Sequence, residues 1–94
     1  MLTLRIASNT CVKDCAGAIA GQLRESNGVF LQAIGAAAVN QATKAIALAD
    51  VFLKDDGWLV LARIEKCDVD VQGEKKTGVR WRVIAVQVEK VKAP

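Results

Sequence analysis

The side chains of this sequence that could do chemistry are three cysteines, two pairs of carboxylates and a group of lysines and arginines crowded toward the C-terminus. Cys11 and Cys15 stand four residues apart, a spacing that brings two thiols together on a helix. A metal held there would need more ligands, and only Cys67 and carboxylates remain to supply them. Both are therefore expected to pack as small apolar groups. Asp55-Asp56 runs into Gly57 and reads as a turn. Asp68 and Asp70 alternate along a strand and read as partners for arginines on the neighbouring strand. The 94 residues contain no histidine, which removes the commonest general base and the commonest zinc ligand. There is also no nucleophile elbow and no phosphate-cradling glycine motif. The expectation is a protein that binds rather than catalyses, with no catalytic residue, no metal and no cofactor.

Charge says where binding would occur. Residues 1–62 carry equal numbers of basic and acidic side chains, so the whole net charge of +3 lies in residues 63–94. A basic hairpin can follow a groove of nucleic acid and gain affinity by releasing counterions from phosphates. Lys75 and Lys76 have only Glu74 beside them, whereas Arg80 and Arg82 are candidates for pairing with Asp70 and Asp68. A second candidate is Gly35-Ala36-Ala37-Ala38, where a partner can approach the backbone and free N–H groups at a helix start favour anions. Asn40, Gln41 and Lys44 are the polar groups nearby. The same small residues could instead pack against a second copy of the chain, with Asn40 bridging the interface.

The elements that must position these groups follow from periodicity. Leu2, Leu4 and Ile6 alternate with Thr3 and Arg5 as in a half-buried strand. Ser8, Asn9 or Thr10 can cap a helix over about 11–25, which carries Val12, Cys15, Ala16, Ile19 and Leu23 on one face and ends at Asn27-Gly28. Val29–Ile34 is apolar except for Gln32 and reads as a central strand buried on both faces. A second helix runs from Ala36 to about Lys54, its stripe formed by Ala38, Val39, Ala42, Ala45, Ile46, Ala49, Phe52 and Leu53. Leu48 and Val51 give it a second buried face. The remainder is a hairpin around residues 72–78. The alternation of Trp58, Val60, Ala62 and Ile64 changes phase to Cys67, Val69 and Val71, which predicts a bulge near 64–67. Pairing Asp70 with Arg80 and Asp68 with Arg82 places Val69 opposite Trp81 and Cys67 opposite Val83, with Trp81 in the core.

The expected fold is α+β, in the order β-α-β-α-β-β, with two helices packed on one face of a four-stranded mixed sheet and residues 1–94 forming a single domain. The longest apolar stretch is broken by polar residues and cannot cross a membrane. An odd number of cysteines without a secretory signal points to the cytoplasm.

That element order is shared by the Alba family of small nucleic-acid-binding proteins. At residue level, Ala16-Gly17-Ala18-Ile19-Ala20-Gly21-Gln22-Leu23-Arg24-Glu25 and Gln32–Ala45 resemble the signature of stage V sporulation protein S, a small bacterial family with an Alba-like fold. The similarity spans about residues 2–88 and is weaker in the hairpin. It implies a homodimer or higher homo-oligomer that binds DNA or RNA and acts in regulation, using the hairpin and the loop into the second helix. The residues implied are Lys75, Lys76, Arg80, Arg82, Lys44, Asn40 and Gln41. Where Alba proteins carry lysine and arginine at the end of the second strand, this chain has Gln32, Ile34 and Ala36. The alternative is a self-associating structural or protein-interaction module with the same fold and little affinity for nucleic acid.

Overall fold

The computed structural model of the chain describes residues 1–88. Glu89, Lys90 and Lys92, which enter the charge of the C-terminal third, lie outside the described residues. The elements follow in the expected order: β1 (Thr3–Ile6), α1 (Val12–Glu25), β2 (Val29–Ala33), α2 (Ala36–Lys54), β3 (Trp58–Val71) and β4 (Glu74–Gln87). The sheet order is β1-β2-β4-β3, with β1 and β2 parallel and the other pairs antiparallel.

Both helices pack on one face of the sheet, and small side chains let them do so closely. Ala16 and Ala20 of α1, with Ala38, Ala42, Ala45 and Ala49 of α2, are all buried. Methyl-sized groups along the contact allow short distances between helix axes. Ile19, Leu23, Val29, Leu31, Leu53, Trp81 and Val83 fill the rest of the core. Trp81 is 3% exposed, so its expected place in the core holds. Leu48 packs against this core, whereas Val51 stays exposed, because the second apolar face of α2 is covered only in part. At the far edge, Asp50 of α2 accepts a 3.0 Å hydrogen bond from the Val60 N–H. That contact satisfies an edge-strand donor and ties α2 to β3.

The helix ends differ from expectation. No side chain caps α1: Cys11 holds the N-cap position without a side-chain hydrogen bond. Thr10 Oγ1 instead accepts from the Ala7 N–H at 2.8 Å and closes the turn after β1. The helix stops at Ser26, whose N–H donates to the Gln22 carbonyl at 2.9 Å. Gly28 serves the sheet rather than the helix end, since a Cβ there would stand 2.9 Å from the Val83 carbonyl oxygen. Only glycine lets the start of β2 run that close to β4.

The hairpin departs most from its sequence reading. The turn is two residues long, Gln72-Gly73, with φ of 51° and 82°. Positive φ at both positions is the signature of a type I′ turn, whose twist matches that of the flanking strands. The ladder runs without interruption from Val71↔Glu74 to Trp58↔Gln87, so there is no bulge near 64–67 and residues 74–78 belong to β4. Asp70 faces Lys75 and Asp68 faces Thr77, while Arg80 faces Glu65 and Arg82 faces Arg63. The change of apolar phase has a different cause. Trp58, Val60, Ala62 and Ile64 keep the parity of the helix-facing side, but cover is already lost at the exposed Ala62 and Ile64 and beyond them. There Cys67, Val69 and Val71 occupy the other face, and Gln32 Nε2 reaches Cys67 Sγ at 3.7 Å.

Gly28→Ala is expected to lower stability by about 1–3 kcal/mol through overpacking against Val83. Gly17→Ala, exposed within α1 and with open space at its Cβ position, should raise it by about 0.5–1 kcal/mol. Urea unfolding midpoints of the two variants check both signs.

Candidate functional site

Strand alternation assigns each basic side chain to a face. The ladder partners set two rows across the helix-free side of the sheet. One is Arg5, Gln32, Arg80 and Glu65, and the next is Thr3, Phe30, Arg82 and Arg63. Their inward neighbours Ile6, Leu31, Ala33, Trp81 and Val83 are buried, which confirms that these rows point outward.

Within the rows, Arg80 is the most constrained. Its Nη2 donates to Glu65 Oε2 at 2.7 Å and its Nε to the same oxygen at 3.3 Å. Its guanidinium lies 4.9 Å from the centroid of the Phe30 ring, and that of Arg82 lies 6.0 Å away. Guanidinium groups at these distances are attracted by the ring's quadrupole, by about 0.5–1 kcal/mol at an exposed site. The hydrogen bond from Arg80 holds the Glu65 carboxyl below the usual glutamate range, with the charges of Arg80, Arg63 and Arg82 acting in the same direction. No ion pair engages Arg5, Arg63 or Arg82 among the described residues.

Two concavities open beside the two rows. One, of about 500 Å³, lies where the arm curls over the ends of β1 and β2, between Arg5, Gln32 and Ile34 on one side and Val69–Gln72 on the other. The second, of about 320 Å³, is lined by Leu61, Ala62, Arg63, Arg82 and Ile84. Both are open to solvent. No group of three or more potential ligands among the described residues could hold a metal ion. No helix is long and apolar enough to cross a membrane.

The seven residues expected from sequence fall on two sides of the molecule. Lys75 and Lys76 are exposed near the tip of the arm, and Lys76 shares strand parity with Arg80 and Arg82. Lys75 stands across from Asp70 on the opposite face of the ladder. Asn40 and Lys44 are exposed on α2, which covers the other side of the sheet. Gln41 is spent internally: its Nε2 donates to the Thr10 carbonyl at 2.9 Å and fastens α2 to the turn before α1. The pairing expected for Arg80 and Arg82 is corrected, with Glu65 taking Arg80 and Phe30 lying beside Arg82. Sequence reasoning missed Arg5, Arg63 and Phe30 as members of this face. Period-two alternation put Arg5 outward, but only the order of the strands brings it level with Arg80. Of the cysteines, Cys15 is buried and Cys11 is exposed, against the expectation that both pack inside. Burial pushes the Cys15 thiol up, and Cys11 adds to the shift.

The Glu65–Arg80 pair gives a pH signature. Because folding lowers the Glu65 pKa, its contribution to stability is present above the ordinary glutamate value of about 4.3 and is lost as pH falls through the lowered value. Carboxyl NMR titration should find Glu65 below the ordinary glutamate range, and Arg80→Gln should return it toward that range.

The family model described as stage V sporulation protein S matches residues 2–86. Among solved structures, Alba from Thermoplasma volcanium is similar in fold at 10% sequence identity, with a TM-score of 0.56 over 90% of this chain and 99% of that one. At that identity the likeness is one of fold alone. With the element order and sheet topology already set out, the match over residues 2–86 places the chain in the stage V sporulation protein S family, on an Alba-like fold.

Proposed function

We propose that this protein is a small regulatory nucleic-acid-binding protein, working as a homodimer or higher homo-oligomer and contacting phosphates through its β3–β4 arm. The observation that carries the reading is the arm itself. Lys75 and Lys76 are exposed near the end of a two-stranded projection that makes the molecule 58 Å long and only 22 by 21 Å across. Lysines exposed at the end of the arm can reach phosphates without disturbing the core, and counterion release supplies the affinity. Arg80 and Arg82 extend the charge toward the body. Lys44 and Asn40 on α2 form a second, separate contact, and Gln41 drops out because it is tied to Thr10. Placement in the cytoplasm belongs to the same reading and is supported by three free cysteines. Regulation is carried over from the family, whose name attaches it to sporulation.

One observation favours self-association as a parallel role. Val51 is 60% exposed on α2, in line with the exposed Ala37 and Ala47 and with Asn40 and Lys44 between them, and Phe52, 37% exposed, lies beside this stripe. Small and apolar groups of this kind suit a symmetric contact between copies. Multi-angle light scattering is expected to give at least twice the 10.0 kDa mass of one chain.

Fluorescence anisotropy with labelled DNA and RNA tests the main reading. Binding should weaken steeply as salt rises. Lys75→Ala/Lys76→Ala should weaken it for all sequences alike and reduce the slope of log K against log salt by about 1 to 2. No binding even at about 20 mM salt, where phosphate contacts are strongest, would leave self-association as the function. Full affinity in the double variant would move the contact to Lys44 and Asn40.

A further inference from the structure

The helix-free face of the sheet is a surface that the tip contact leaves in part unexplained. It carries four arginines, Arg5, Arg63, Arg80 and Arg82, against a single carboxylate in their two rows, Glu65, which is already bonded to Arg80. At its centre a half-buried phenylalanine holds two guanidinium groups against its ring. We propose that this face binds single-stranded nucleic acid, with bases stacking on Phe30 and the guanidinium planes beside it while Arg5 and Arg63 take phosphates. The proposal rests on the nucleic-acid reading above and adds to it the strand type and the part played by Phe30, Arg5 and Arg63 beside the Arg80 and Arg82 already counted there.

Three features choose this occupant. The first is charge: an uncompensated cationic row needs an anionic partner. It also disfavours a second copy centred on the arginine rows, since that docking would bring Arg63 and Arg82 near their own images. The second is the ring. A base stacks on aromatic side chains or on guanidinium planes only when its own π-face is free, which is the condition of a single strand and not of a duplex interior. The third is shape. Open concavities lie at the two rows, one lined by Arg5 and Gln32 with Asp70 and the other by Arg63 and Arg82 with Leu61 and Ile84, so a strand laid along the face has room and cations within reach. The helix side offers Lys44 and Asn40 without a comparable pairing of ring and guanidinium among the described residues.

Full-length wild type, Phe30→Leu and Arg63→Gln are titrated with a labelled single strand of about 12 nucleotides, as oligo(dT) and as oligo(rU), and with a duplex of equal length. Phe30→Leu keeps apolar bulk and removes the π-face. It should lose about 5- to 150-fold in affinity for the single strand, the range that stacking on one aromatic carries, while duplex affinity changes little. Arg63→Gln should weaken single-strand binding and flatten the salt slope by about 0.7. Arg63 is exposed and makes no ion pair among the described residues, so this variant decides alone if Phe30→Leu fails to fold by circular dichroism.

Unchanged single-strand affinity in both variants would overturn the proposal. Wild type that binds only duplex would overturn it and leave the tip contact standing, whereas wild type that binds neither would remove both. Variants that fall apart into smaller oligomers in light scattering, with oligonucleotide affinity intact, would assign the face to a second copy.

Discussion

The register of the β3–β4 ladder is the constraint on which everything else in this protein depends. β4 lies between β2 and β3, so its side chains from Val79 to Val83 are committed to one face by two neighbours at once. Trp81 and Val83 are buried because Arg80 and Arg82 are not. A slip of one residue would exchange them and drive two guanidinium groups into an apolar core. Removing an ion from water without a partner costs several kcal/mol. That penalty exceeds what any cross-strand pair contributes, about 0.2–1 kcal/mol each. The core therefore sets the parity of the ladder. The two-residue turn at Gln72-Gly73 then selects among the registers that share it.

The helices explain why one face is left for binding. Alanine along both helices permits close packing on one side of the sheet, and neither helix reaches the other side. A four-stranded sheet with one covered face needs polar groups or a partner on its open face. Here the open face holds arginines, a glutamate, a threonine and a glutamine around one aromatic ring, and beside them the apolar pairs Leu61 with Ile84 and Leu59 with Val86. Past the last turn of the helices, the arm keeps alternating but loses its cover. The apolar residues then move to the side where the arm curls back over β2.

That move shows why the element order was legible in the sequence and the register was not. Alternation and helical spacing identify β1, α1, β2 and α2 to within a residue or two, because each is decided by which face is buried. The hairpin offered a second signal, opposite charges, and it was ambiguous. Arg80 meets an acid in either arrangement, Asp70 in one and Glu65 in the other. Arg82 would meet Asp68 in the arrangement expected from two strands, and Arg63 in the real one. Taken as a pair of strands, the real arrangement looks worse. The compensation comes from Phe30 on β2, a strand that a hairpin argument does not contain. The same omission hid the site: Val29–Ile34 read as buried on both faces, which made Phe30 a core residue rather than the centre of an outward face.

Arg63 opposite Arg82 is also the clearest local conflict in the structure. Like charges directly across a ladder are destabilising, and no carboxylate lies in their row to offset them. Phe30 attracts Arg82 and recovers part of that cost. It does so by holding a cation at the surface and not by neutralising it. A sequence selected for stability alone could relieve the conflict by placing a carboxylate or a threonine at position 63. Local rules that fail without internal compensation concentrate where a protein meets something else. The remaining repulsion in this row is the kind that an anionic partner would relieve, which ties the energetics of the sheet to the use of its open face.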